Sequence, residues 1–496
     1  ESSKDLGLNI QAFSTQACFL DYDLDGDLDM YLLNHNVHSV RSYGTIKKRK
    51  ETDPWAGDRF LENRLNEAEG QFVDVTEAAG IYNSPLGYGL AIAAADLNSD
   101  GYTDIYIGND FHENDYIYLN NGDKTFREVI KDWTDHTTQF SMGVDIADLN
   151  NDQLPDIFST DMLPFDEEIY LKSGGEDTDQ LKRIKADLGY EEQYARNHLQ
   201  LNSGKAYFTD LALQTRTFAT DWSWGVLLQD FDNNGWKDIF ITNGIVKRPN
   251  DLDYINYLNS EAIAQLDEDD PERTRKLIEK LPSEKLHNIL FLQQSELEFT
   301  DLESSKVGPP TFSNGVAYAD LDKDGYLEVV VNNINEPAQI LTCKGRAEGG
   351  NYLSLDLKND AGKTALGTKA YVYAGGRTLY QELQVVKGYQ SSVSHRLHFG
   401  LGDAGRVDSV RVIWPGQRVQ VLSGLSVNQH LEVERPATEL PTAAAGNLVG
   451  APAFEVFPLQ HEENPYFFLA ELIIDLDLVY DHPIKDYCGT CTRCID

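Results

Sequence analysis

Short apolar runs recur through the first two thirds of the chain, each ending beside an acidic turn. Residues 17–20 (ACFL), 91–95 (AIAAA) and 226–228 (VLL) precede such turns, and residues 30–33 (MYLL), 105–107 (IYI), 239–241 (IFI) and 329–331 (VVV) follow them. Brief β-rich runs on both sides of a turn predict buried hairpins. Further turn signals at 119–126 (LNNGDKTF), 201–204 (LNSG) and 243–244 (NG) join neighbouring antiparallel strands. A unit of four short strands is the size of a propeller blade. Two polar stretches with helical character, 164–195 and 250–286, interrupt the pattern and predict insertions on one rim, where binding surfaces often lie. From residue 351 the alternation changes. Strand-like runs at 352–357, 370–373, 383–386 and 410–414, separated by Gly-rich turns, predict a compact second β-domain.

The predicted fold is therefore all-β: a β-propeller of four-stranded blades with helical insertions over 1–345, then a small β-domain over 346–435. A Pro/Ala/Gly-rich linker follows over 436–466, and a Cys-containing tail over 467–496.

The acidic turns align without gaps as D-x-[DN]-x-[DN]-[GQ]-x-x-[DE], beginning 75, 52, 82 and 90 residues apart. Positions 1, 3, 5, 7 and 9 are Asp21, Asp23, Asp25, Asp27 and Asp29 in the first copy. They are Asp96, Asn98, Asp100, Tyr102 and Asp104 in the second, and Asp148, Asn150, Asp152, Leu154 and Asp156 in the third. In the fourth they are Asp230, Asp232, Asn234, Trp236 and Asp238, and in the fifth Asp320, Asp322, Asp324, Tyr326 and Glu328. Calcium takes six to eight hard oxygen ligands at about 2.3–2.6 Å. Side-chain oxygens at positions 1, 3 and 5 converge when the backbone curls, a Gly at position 6 permits the turn, and the position 7 carbonyl and position 9 carboxylate complete the shell. Magnesium keeps more of its water, so Ca2+ is the expected ion. An EF-hand needs a Glu at position 12 and flanking helices. Here position 12 is Leu32, Ile107, Ser159, Ile241 and Val331, which excludes it. The third copy is the weakest, with Gln153 in place of Gly and Pro155 beside it.

Charge agrees with a cation-holding chain. Asp and Glu outnumber Lys and Arg 81 to 42, a formal net charge of −39, and the five loops hold 18 of those acids. A surface this acidic repels phosphate backbones, so no nucleic-acid partner is expected. No apolar run approaches the roughly 20 residues of a transmembrane helix. The chain starts at Glu1 without an initiator Met or a signal-like segment, which suggests a processed chain or a fragment.

These loops, with the phrases YLNNGDKTF and FVDVTEAAGI, resemble FG-GAP/VCBS repeats, the blades of integrin-α-type β-propellers. The resemblance covers about residues 10–340. It implies calcium at the loop positions just named and usually seven blades, against five strong units here, so either two blades are degenerate or the chain begins partway into the ring. The second domain resembles the ASPIC/UnbV domain through 367–372 (GTKAYV), 388–392 (GYQSS), 398–402 (HFGLG) and 410–415 (VRVIWP). The combination is similar to the cartilage acidic protein family and bacterial surface relatives. In the second domain Trp414, Tyr389, His395 and His398 offer a ligand face, or else are core and incidental.

The tail carries Cys488, Cys491 and Cys494 at C-x2-C-x2-C spacing, the start of an iron–sulfur run. It resembles the iron–sulfur segment of epoxyqueuosine reductase but stops before the fourth Cys. Three readings stay open: a join of unrelated sequence, an inert extension, or zinc or a cluster completed by a partner's ligand. An extracellular propeller and a cytosolic cluster want different redox compartments.

The expected function is that of a secreted, cell-surface or periplasmic protein with structural Ca2+, binding a glycan or protein ligand at the propeller rim in adhesion. The alternative is a polysaccharide lyase or hydrolase on the same scaffold, for which Asp110, His112 and Glu113 (within GNDFHEND) are the one tempting cluster. No other catalytic residues and no organic cofactor are expected, and an iron–sulfur or tRNA-modifying role is the least favoured reading.

Overall fold

The computed structural model describes residues 2–436, apart from 38–43, 69, 175–176, 261–270 and 343–349. The Cys-containing tail and almost all of the linker lie outside the described residues. The protein is mostly β, with few helices.

Five antiparallel sheets follow one another in chain order, each built by adding strands sequentially outward. The first runs Ser14–Leu20, Asp29–Asn34, Arg59–Arg64 and Gln71–Asp74; the second Gly89–Ala95, Asp104–Asn109, Tyr116–Asn120 and Phe126–Glu128. The third holds Val144–Ala147, Asp156–Ser159, His198–Asn202 and Phe208–Asp210; the fourth Ser223–Gln229, Asp238–Asn243, Leu286–Phe291 and Lys306–Thr311. The fifth has three strands, Ser313–Ala319, Glu328–Asn333 and Gln339–Leu341. First strands of successive sheets lie side by side. Each sheet packs on the next: Ile157 and Phe208 of the third join Ile117 and Leu119 of the second, and Val226 and Ile239 of the fourth join Phe158 and Leu199 of the third. Burial on both faces explains why inner strands are continuous apolar runs rather than alternating ones, as in Gly89–Ala95, where every residue is buried. Pro309 and Pro310 lack a donor and are tolerated because their strand is an outermost one.

Every acid loop joins a first strand to a second, so all five lie at one end of the sheets. Connections from second to third strand lie at the other end. Both insertions are connections of that second kind, and both are helical as expected. The first holds Glu167–Lys172 and Asp179–Leu188, the second Leu252–Leu258 and Pro271–Lys280. They meet where Gly174 N–H donates to Asn250 O at 2.8 Å.

The C-terminal strands form a three-stranded sheet (Asn351–Lys358, Arg396–Gly402 and Gln429–Glu434) and a four-stranded one (Lys369–Ala374, Arg377–Glu382, Val407–Trp414 and Arg418–Leu425). They share a core with the first two sheets. Among the described residues no hydrophobic cluster joins the first sheet to the fifth. Residues 383–386 are not the strand their apolar pattern predicts; only Val386–Lys387 pairs, with Ser391–Ser392. Leu383, Val385 and Val386 are apolar because the segment threads along the first strands of the five-sheet row. It enters at the acid-loop end, where Glu382 Oε2 accepts Asp96 N–H at 3.0 Å. Farther along, Gly388 N–H donates to Val144 O at 2.7 Å, and Tyr389 meets Trp224 with ring centroids 4.7 Å apart at the far end.

Candidate metal loops and their surroundings

All five loops adopt one conformation. The position 1 carboxylate accepts the N–H of position 6: Gly26 to Asp21 at 3.1 Å, Gly101 to Asp96 at 2.7 Å, Gln153 to Asp148 at 2.9 Å, Gly235 to Asp230 at 2.7 Å and Gly325 to Asp320 at 3.1 Å. Positions 3 and 5 cap the N–H two residues onward, as Asn98 does for Asp100 and Asp100 for Tyr102. Position 6 has a left-handed backbone in every copy, and Gln153 takes φ +74° where the others have Gly. That conformation costs a side-chain-bearing residue roughly 1–2 kcal/mol, so the third loop is strained but formed.

Position 9 does more than offer a ligand. One oxygen of Asp104 accepts Leu97 N–H and the other Asn120 N–H, both at 2.8 Å. Asp156 and Asp238 repeat this with Leu149 and Asn202, and with Phe231 and Gln293. The residue so held, on the third strand for Asn120 and Asn202 and two positions past its end for Gln293, then reaches the preceding sheet. Asn120 Nδ2 donates to Tyr22 O at 2.7 Å, Asn202 Nδ2 to Leu97 O at 2.9 Å, and Gln293 Nε2 to Leu149 O at 2.9 Å. These amides stitch each loop to its neighbour. In the sequence Asn120 and Asn202 read only as hairpin residues, although the repeated Asn of LNNG and LNSG was the available signal, and Gln293 carried no such signal.

The fit to a cation is decided by the carboxylates. Oxygens from Asp21, Asp23 and Asp29 lie within 4.8 Å of one another, as do those of Asp230, Asp232 and Asp238, and of Asp320, Asp322 and Glu328. A Ca–O distance of about 2.4 Å allows ligand oxygens up to about 4.8 Å apart. Asp21 Oδ1, Asp27 Oδ1 and Asp320 Oδ1 are buried without a hydrogen-bond partner. Burial, followed by the charges of Asp25 and Asp23, pushes the Asp21 carboxyl up to about 7, and burial pushes Asp29 up to about 9. Burial, then Asp230 and Asp232, raises Asp238 well above the carboxylate range. The residues present thus fit a hard divalent cation, which would relieve this repulsion.

The second and third loops, with Asn at position 3, differ. Lys369 places its ammonium on Asp96 Oδ2. Buried Lys237 donates to Asp148 O at 2.9 Å and to Tyr380 O at 3.1 Å. In the first loop, Lys124 bridges Asp23 and Glu62 at 2.7 and 2.6 Å. The C-terminal sheets dock on this same end. Arg377 Nη1 donates to Asn234 O at 3.0 Å, and His398 bridges Ser354 Oγ at 2.9 Å and Asn233 Oδ1 at 2.8 Å. Gly400 admits no side chain, since a Cβ there would lie 1.9 Å from Asp230 Oδ2.

Other sequence candidates separate. Trp414 and His398 are core, each 1% exposed, so no ligand face forms around them. The 110–113 segment is the second-to-third strand connection of the second sheet. Glu113 is fully buried, bound to Arg49 at 2.7 Å and to the Tyr116 hydroxyl at 2.8 Å, which is a structural arrangement. Cys488, Cys491 and Cys494 lie outside the described residues.

Comparison with known proteins agrees with this architecture. The chain is 25% identical to cartilage acidic protein 1 of Homo sapiens over 439 residues, covering 85% of this chain and 54% of that protein. It thus spans about half the length of that curated relative. The tail is 71% identical to an epoxyqueuosine reductase of Leadbetterella byssophila over 38 residues, which is 8% of this chain and 13% of that one. A solved Bacillus licheniformis rhamnogalacturonan lyase overlaps 85% of this chain and 62% of its own at 11% identity with a TM-score of 0.29, too low to bear on fold or function. Residues 96–159 match the model described as FG-GAP-like repeat, and residues 358–440 match the one described as ASPIC and UnbV.

Proposed function

We propose that this chain is a calcium-braced binding scaffold of the extracellular, cell-surface or periplasmic kind. Residues 1–345 are its propeller, with the five sheets as blades, and residues 346–435 are a second β-domain docked on the loop end. The observation that carries the reading is the set of buried carboxylate oxygens without partners, Asp21 Oδ1 and Asp320 Oδ1, each among further acids. The first, fourth and fifth loops are the strongest sites. The third has a strained turn, and in the second the Lys369 ammonium already answers the position 1 carboxylate. Calcium's role is structural, neutralising carboxylates that otherwise repel. Extracellular modules hold it at about 10⁻⁴–10⁻³ M, concentrations found outside cells.

Adhesion, through a glycan or protein ligand, is assigned to the end opposite the docked domain. There the two insertions enclose a cleft of about 570 Å³ lined by Asp166, Lys172, Arg248, Asp251, Tyr254 and Tyr257. Phenol rings beside charged and hydroxyl groups suit sugar faces and peptide backbones alike. The test is a screen of surface polysaccharides and matrix proteins in calcium, scored for both binding and product release. Binding lost in Tyr257→Ala, with no product, supports the reading; released product would favour the lyase or hydrolase alternative. The tail's match covers too little of epoxyqueuosine reductase for any of that enzyme's chemistry to be carried over.

A further inference from the structure

Away from the acid loops, one group of side chains among the described residues has the composition of a transition-metal site. His198 begins the third strand of the third sheet, Asp210 ends the fourth, and His136 precedes the short strand Thr137–Thr138. Asp210 Oδ2 lies 3.1 Å from His136 Nε2 and 3.7 Å from His198 Nε2. The other carboxylate oxygen accepts the N–H groups of Leu199 at 3.2 Å and Ala212 at 3.0 Å, which aims Oδ2 at the two imidazoles. Gln200 Nε2 donates to His136 O at 3.2 Å and fixes that residue's backbone. His198 is 1% exposed, and neither of its ring nitrogens has a hydrogen-bond partner. A buried imidazole left this way is costly unless something binds its lone pair. Zinc bonds to His and Asp of about 2.0–2.1 Å set tetrahedral ligand atoms about 3.3–3.4 Å apart. The observed separations, 3.1 and 3.7 Å, bracket that spacing.

Arg196 stands at the same atoms. Its Nη1 is 2.6 Å from Asp210 Oδ2 and its Nη2 is 3.3 Å from His136 Nε2. Its side chain reaches solvent at 13% exposure, and the guanidinium already lies 5.6 Å from the Tyr194 ring, so an outward swing keeps an aromatic partner. We propose that His136, His198 and Asp210 form a site for one Zn2+ or similar borderline divalent ion, and that Arg196 holds the carboxylate when the metal is absent. Two imidazoles and one carboxylate suit zinc rather than calcium. The fourth position is left to water or a ligand.

The site does not rest on the calcium reading, and its test is run with the full chain in excess calcium so that the acid loops are not the variable. Titration with Zn2+ by calorimetry, and with Co2+ by visible absorption, should show one equivalent bound with a tetrahedral Co2+ spectrum. His136→Ala, at a partly exposed position, should remove it, as should His198→Gln, with circular dichroism unchanged in at least the first. Arg196→Gln removes the competing cation and should tighten binding about tenfold or more, roughly 1.4 kcal/mol. Binding weaker than about 0.1 mM in the wild type, binding that persists in His136→Ala, or weaker binding in Arg196→Gln would each overturn the proposal.

Discussion

Lys387→Met tests whether the C-terminal segment is part of the five-sheet fold or only rests on it. Lys387 lies on the segment threaded along the first strands and reaches Asp145 Oδ1 at 2.5 Å, with the two side chains 10% and 1% exposed. Asp145 also accepts Leu228 N–H at 2.8 Å and Ile146 N–H at 2.7 Å, so its carboxylate is fixed in place between the third and fourth sheets. Removing one partner of a buried pair leaves an uncompensated charge and costs about 3–5 kcal/mol. An unfolding entropy of about 2.1 cal/mol/K per residue gives about 0.9 kcal/mol/K for the described chain, so the melting point should drop by about 3–6 °C. The loss should depend on pH. Burial raises the Asp145 pKa even with Lys387 beside it, and without the lysine it rises further. A raised folded pKa favours the folded state at low pH and penalises it as pH rises through that value. The variant should therefore lose less at pH 5 than at pH 8, and adding Asp145→Asn should restore part of the loss at pH 8. Differential scanning calorimetry at both pH values measures this. A melting point within 1 °C of wild type at pH 8, or two separate transitions with the sheets unaffected, would mean that the Lys387–Asp145 pair does not tie the segment to the sheets.

Four further outcomes follow from the loops. Gln153→Gly, relieving a left-handed φ, should raise stability by about 0.5–1 kcal/mol in chemical denaturation; a loss would mean the side chain is needed. Asp238→Ala should unfold the fourth sheet more readily even in saturating calcium, by about 2–4 kcal/mol, because Phe231 and Gln293 N–H lose their acceptor. Asp322→Ala, at an exposed position 3, should lower calcium affinity with little effect in chelator, and equal losses in both conditions would contradict the division of roles. In chelator, the melting point should fall as pH rises from 6 to 9. Asp21 and Asp29 have folded pKa values of about 7 and 9, above their unfolded ones, so their contribution is full at low pH and lost through that window. A chelated protein that gains stability over this range would count against the buried, mutually repelling carboxylates.

The five loops and their strands were legible because their chemistry is local: nine residues hold the acids, the turn and the brace. What sequence could not show lies far apart in the chain. Lys369 meets Asp96 across 273 positions and Lys387 meets Asp145 across 242. Residues 383–386 look like a strand because apolar residues are needed wherever a segment is buried, whether or not it pairs. His136, His198 and Asp210 are separate single residues until the third sheet folds. The five-sheet row also left open how its ends are covered, and the shared core of the C-terminal and first two sheets depends on tertiary packing that no motif announces.

If calcium braces the folded chain, calorimetric titration of chelator-stripped protein, paired with melting curves, will show it. Three to five Ca2+ ions should bind. At 10 mM calcium each site should add about 1.4–2.7 kcal/mol for dissociation constants of 10⁻³ to 10⁻⁴ M. Summed over the three strongest loops, the melting point should rise by about 5–9 °C, with magnesium giving much less. Fewer than one ion bound, or a melting point unmoved between chelator and 10 mM calcium, would mean that calcium does not brace the fold.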